Sequence, residues 1–167
     1  MKNRVLIIGI GSPFGDDRLG WVAADALRGS DVMRAAPIGS IEISILDRPG
    51  SLLPMHWRNT DCVILVDAVR SGALPGTRHC LDADELTGAG MACSSHGFGV
   101  AAAVELARAL GEMPTRLMLR GIETDPSSTG MTLSPAVAAA LPTFCADIAR
   151  EALYLASNCP PAFASMA

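Results

Sequence analysis

Two stretches of this chain, "RVLIIGI" (4–10) and "DCVILVDA" (61–68), carry apolar residues at nearly every position rather than at alternate ones. A strand with one face in water alternates apolar and polar side chains; a continuous apolar run has to be covered on both faces. Between and after these runs the spacing changes to that of helices. Leu19, Val22, Ala23, Ala26 and Leu27 predict a helix over 18–28, and Val100, Ala103, Val104, Ala107 and Leu110 predict one over 97–111. "SIEISILD" (40–47) alternates and reads as a second strand, "GTRHCLDA" (76–83) as a weaker edge strand, and "TRLMLRGIE" (115–123) as a fifth. A short helix fits 50–58. Ser134-Pro135 opens a last helix running to about 156, since the hydroxyl can cap and proline suits the first turn, with a kink expected at Pro142. Strands interleaved with helices imply an α/β three-layer sandwich: a mostly parallel, five-stranded twisted sheet with helices on both faces. We expect a single domain over 1–157 and a frayed tail over 158–167, "NCPPAFASMA".

In an open α/β sheet, ligands bind where the loops diverge at the carboxyl ends of the strands. The polar residues falling at that edge are mostly acids. Asp16 and Asp17 follow the first strand, Asp47 ends the second, Asp67 ends the third, and Glu123 and Asp125 follow the fifth. His96, in "CSSHG", precedes the helix expected from 97 and faces the same edge. The opening "VLIIGIGSPFGDDRLGW" (5–21) at first suggests a nucleotide-binding turn. Its glycines, Gly9, Gly11 and Gly15, are spaced differently from a dinucleotide fingerprint, however, and two carboxylates stand where a pyrophosphate would lie. A cation suits this rim better: carboxylate oxygen and imidazole nitrogen are donors for a divalent transition metal such as nickel or zinc. The local alternative for the acidic pair is helix capping, with Asp16 the better placed. Cys93, although spaced three residues from His96, reads as a small apolar residue. His56 and His79 read as structural or surface groups.

Composition narrows the partners. The formal charge is −4 with no run of Lys or Arg, which argues against nucleic acid or an anionic membrane surface. No apolar run reaches the roughly 18 residues that would suggest a membrane span, so a cytoplasmic protein is expected. Five cysteines without a CxxC pair predict idle or buried thiols rather than a disulfide framework.

Four segments, in order, carry a resemblance. "IIGIGSPFGDDRLG" is similar to the opening signature of the hydrogenase maturation endopeptidases, G-x-G-N-x-x-x-x-D-[DE]-G-x-G. "VILVDAV" resembles the family's apolar strand ending in Asp-Ala, "SSHGFGV" its [ST]-x-H-x-x-G segment, and "LRGIETDPSSTGMTLSPAV" its last strand and the loop to Leu-[ST]-Pro. The match runs over residues 4–156. It departs at Ser12, where the family has Asn, at Arg18, where Gly follows the acids, and at Asp47-Arg48-Pro49-Gly50 after the second strand.

The resemblance implies an endopeptidase that removes the C-terminal extension of a nickel–iron hydrogenase large-subunit precursor after nickel insertion. It also implies that Asp17, Asp67 and His96 contact the metal, as sensors, as catalysts or as both, with Asp16 able to assist. On that reading the nickel belongs to the substrate, no organic cofactor is needed, and the protein acts as a monomer. The alternative is a non-catalytic escort for the same subunit.

Overall fold

A computed structural model describes residues 4–88 and 99–158. The elements run β1 (Val5–Gly11), a 3-10 turn (Gly15–Arg18), α1 (Leu19–Gly29), α2 (Asp31–Arg34), β2 (Ile41–Asp47), a second 3-10 turn (Gly50–Leu52) and α3 (Leu53–His56). β3 (Cys62–Val69), β4 (Arg78–Asp82), α4 (Ala83–Gly88), α5 (Val100–Leu110), β5 (Arg116–Glu123) and α6 (Pro135–Asn158) complete the order. The strands form one sheet in the order β2-β1-β3-β5-β4, with β4 antiparallel to β5 and every other pairing parallel. The expected α/β sandwich is therefore present, and its weakest strand is the antiparallel edge. The α5 helix starts at Val100 rather than 97, and α6 continues past 156 to Asn158 with Pro142 inside it.

Burial follows the apolar runs. Every residue of β1 and β3 is buried, whereas β4 alternates between exposed and partly covered. On one face, Val5, Ile7, Ile64 and Val66 pack with Leu19, Ala23 and Leu27 of α1 and with Val137, Phe144 and Ile148 of α6. On the other, Leu6, Ile8, Val63 and Leu65 pack with Leu53, Trp57, Leu86, Val100 and Val104. Trp57 is fully buried because its indole N–H donates to the Glu112 carbonyl at 3.0 Å, which satisfies the ring's one polar group.

Two glycines bring α1 onto the sheet. A Cβ on Gly9 would overlap the carbonyl of Gly20, and one on Gly20 would overlap the backbone of Ile10 and Val66. Helix and strand backbones are thus nearly in contact, and the glycines of the opening motif serve this packing rather than a phosphate. Cys62, at the start of β3, is disulfide-bonded, against the expectation of idle thiols; Cys80 and Cys145 are free. Among the described residues no helix is long and apolar enough to cross a membrane. Residues 159–167, most of the expected tail, lie outside the described residues.

Candidate active site

The carboxyl ends of β1, β3 and β5 meet at one rim. Strand alternation puts Asp67 on the same side as Val63 and Leu65, the side that α5 covers. The β1–β3 pairing ends at Gly9 and Val66, so Asp67 is the first β3 residue past the end of that ladder. On its other side it pairs with Gly121, where a Cβ would crowd Val69 and the Asp67 carbonyl.

Asp67 is completely buried. Its Oδ1 accepts the Ala68 N–H at 2.8 Å, while Oδ2 has no hydrogen-bond partner among the described residues. Burial pushes this carboxyl well above the usual carboxylate range; the Ala68 N–H opposes the rise, and the nearby charge of Asp17 adds to it. A buried carboxylate oxygen without a donor is costly, and a second acid beside it adds to that cost. Such a pair suits a site that receives a positive charge.

Asp17 reaches the rim from the 3-10 turn. Its backbone carbonyl accepts the Ser12 N–H at 3.1 Å, and a Cβ on Gly11 would overlap that same carbonyl. The Ser12 hydroxyl makes a long contact to Oδ2, and the Arg70 guanidinium stands 3.5 Å from Oδ1. The Ser12 departure thus falls on a direct neighbour of a candidate ligand.

Asp16 plays a different part from the one expected. Neither acid caps a helix: no side chain caps the 3-10 turn or α1. Asp16 instead points inward, accepting the Asp125 N–H at 2.9 Å, the Ser134 N–H at 2.6 Å and the Ser134 hydroxyl at 2.8 Å. The Ser134 hydroxyl, expected to cap α6, therefore donates to Asp16. This carboxylate clamps the 124–134 loop to the first motif. Gly15 allows the approach: it has φ of 49°, and its N–H reaches the Gly130 carbonyl at 2.8 Å. Arg18 reaches the same loop through the Met131 carbonyl.

Two further acids of the rim have partners of their own. Asp47 pairs with Arg48 at 2.6 Å. Glu123, almost fully buried, accepts the Ser71 and Gly72 N–H groups at 2.8 and 2.9 Å and the Ser71 hydroxyl at 2.8 Å. His79 lies 3.0 Å from the same carboxylate, which agrees with its structural reading. A cavity of about 330 Å³ opens beside Asp17, lined among others by Phe14, Arg70, Thr124, Ser128 and Gly130. Larger hollows, such as that between β4 and α6, lie away from this rim.

Of the three candidate ligands, Asp17 and Asp67 both lie at this rim, close enough for the charge of Asp17 to act on Asp67. His96 and Cys93 lie outside the described residues. Among the described residues no group of three or more His, Cys, Asp or Glu side chains gathers as a metal cluster.

The comparisons with known proteins decide the family. The family model described as HycI, hydrogenase maturation protease, matches residues 49–151, which is more than half of the chain. The chain belongs to the hydrogenase maturation protease family. Within that matched span lie Asp67 and the sequence position of His96; the motif bearing Asp17 precedes it. The solved structure of the hydrogenase maturating endopeptidase HybD from E. coli is similar, at 25% identity and a TM-score of 0.68, over 87% of this chain and 89% of that one. The [NiFe] hydrogenase maturation protease HybD from Thermococcus kodakarensis has a TM-score of 0.69 at 22% identity, covering 90% and 99%. HycI from Thermococcus kodakarensis KOD1 shares the fold at 24% identity, with a TM-score of 0.64 over 92% and 94%. No curated protein matches in sequence alone. The expected maturation endopeptidase is thereby supported at the level of family, fold and peptidase class.

Proposed function

We propose that this protein removes the C-terminal extension of a nickel–iron hydrogenase large-subunit precursor once nickel is in place, acting in the cytoplasm as a monomer. It recognises the substrate-borne nickel through Asp17, Asp67 and His96. The observation that carries this reading is the unpartnered Oδ2 of the fully buried Asp67, on which the charge of Asp17 also acts. In the free protein, burial and the charge of Asp17 both disfavour the ionised form of Asp67. A cation arriving with the substrate relieves both costs together. His96, the third ligand of this reading, precedes the first residue of α5 by four positions in the sequence.

The chemistry is hydrolysis of one peptide bond. Water adds to the scissile carbonyl and the C–N bond breaks. The shortened subunit keeps the new carboxylate, and the released extension keeps the amine. The bound cation polarises the carbonyl or lowers the pKa of the attacking water. Asp17, Asp67 and His96 fix the cation relative to the bond, so selectivity for loaded precursor follows from positioning. Asp16 contributes by holding the 124–134 loop that borders the cavity. No organic cofactor is required.

The test is incubation with nickel-loaded and nickel-free precursor, read by mass spectrometry. Wild-type protein shortens only the loaded form, and His96→Ala, with an unchanged melting profile, leaves it intact. Normal cleavage by His96→Ala would refute the nickel assignment. An unchanged precursor with wild-type protein would favour the escort reading.

A further inference from the structure

Arg70 lines the cavity beside Asp17 and takes no part in the hydrolysis set out above. It directly follows β3, three residues after Asp67, and its Nη2 lies 3.5 Å from Asp17 Oδ1. The backbone on either side of it is fixed. Val69 accepts the Thr124 N–H through its carbonyl at 2.9 Å, and the Ser71 and Gly72 N–H groups are tied to buried Glu123. The side chain itself is open to solvent: it remains 58% exposed, while Asp17 is 20% exposed. A backbone tied on both sides that carries a solvent-exposed charged head is the geometry of a displaceable counter-ion. The contact is single and long, not a bidentate fork, so it acts as a point charge and holds weakly.

We propose that Arg70 is a specificity-determining residue: its guanidinium occupies the cation position on Asp17 until a substrate-borne metal centre displaces it. This rests on the metal reading of Asp17 given above. A divalent centre offers Asp17 a stronger partner than an exposed guanidinium does, whereas a metal-free precursor offers none. Arg70 therefore lowers the affinity for every cation by a modest factor and discourages docking of unloaded substrate. Exposed ion pairs of this kind change equilibria about two- to fivefold.

The experiment titrates nickel chloride alone into wild-type protein and into Arg70→Met, Arg70→Lys, Asp17→Asn and the Asp17→Asn/Arg70→Met double variant, by calorimetry. The KM for nickel-loaded precursor is measured in parallel for wild type and the Arg70 variants. Arg70→Met should tighten nickel binding and lower KM about two- to fivefold with kcat unchanged. Arg70→Lys should restore wild-type values, because a point charge suffices. In the Asp17→Asn background, removal of Arg70 should change nothing. An Arg70→Met protein with unchanged or weaker nickel binding and an unchanged or raised KM, while Asp17→Asn still weakens binding, overturns the role of Arg70 alone. Full nickel affinity in Asp17→Asn removes the metal reading, and the role of Arg70 with it.

Discussion

Replacing Asp67 by Asn should stabilise the fold while abolishing its function, with a gain that depends on pH in a defined direction. In the unfolded chain this carboxyl titrates near 4; in the fold, burial holds it well above that range. The folded state therefore binds the proton more tightly. The stability linked to it is fully present below the unfolded value and is lost as pH rises through the folded one. Asparagine carries no charge at any pH. It keeps the bond from the Ala68 N–H through its own oxygen, and it leaves an unpartnered amide where Oδ2 now lies. An unpartnered buried polar atom costs about 1–3 kcal/mol, more when charged. Asparagine stays neutral without holding a proton that the unfolded chain releases, so the exchange should gain about 1–2 kcal/mol at neutral pH. For a domain of this size that is about 2–8 °C in melting temperature. Thermal melts of both proteins at several values between pH 4 and pH 8 measure it. The advantage of the variant should shrink toward acid pH. A variant less stable than wild type at pH 7, or a difference independent of pH, would refute the assignment of Asp67 as a strained, partnerless acid.

Other substitutions test the supporting frame. Asp16→Ala removes three hydrogen bonds and leaves Ser134 and the Asp125 N–H unsatisfied. Urea unfolding should show a loss of about 2–4 kcal/mol, and a loss under about 0.5 kcal/mol would mean the clamp is not structural. Gly20→Ala forces a methyl into the backbone of Ile10 and Val66 and should cost about 1–3 kcal/mol or more. Gly29→Ala meets nothing within 4 Å and should be neutral or stabilising by up to about 1 kcal/mol; equal effects at the two sites would contradict the close packing of α1.

The strands of the centre were readable because burial on both faces demands apolar residues at consecutive positions, as in β1 and β3. The edge character of β4 was readable for the converse reason. Short elements were not: α2 and α4 span four and six residues and carry too little periodicity to stand out from loops. In the site, Asp17 and Asp67 were visible as acids following apolar strands. The role of Asp16 was not, because its partners lie 109 and 118 residues away, and local spacing favours the capping alternative. Glu123 was legible as a rim acid, but its part in fixing the β3–β4 loop depends on contacts to Ser71 and His79 that spacing does not encode. Arg70 carried no signal beyond its closeness to Asp67; only the approach of the 3-10 turn makes it a neighbour of Asp17.

The claim that the two acids and the imidazole form one receptor for a cation is tested most directly by anomalous X-ray diffraction from crystals soaked in nickel chloride. We predict a single nickel peak bonded to carboxylate oxygens of Asp17 and Asp67 and to a ring nitrogen of His96, with the Arg70 guanidinium moved off Asp17. A peak bound elsewhere, or Asp17 and Asp67 turned apart around an empty site, would contradict it.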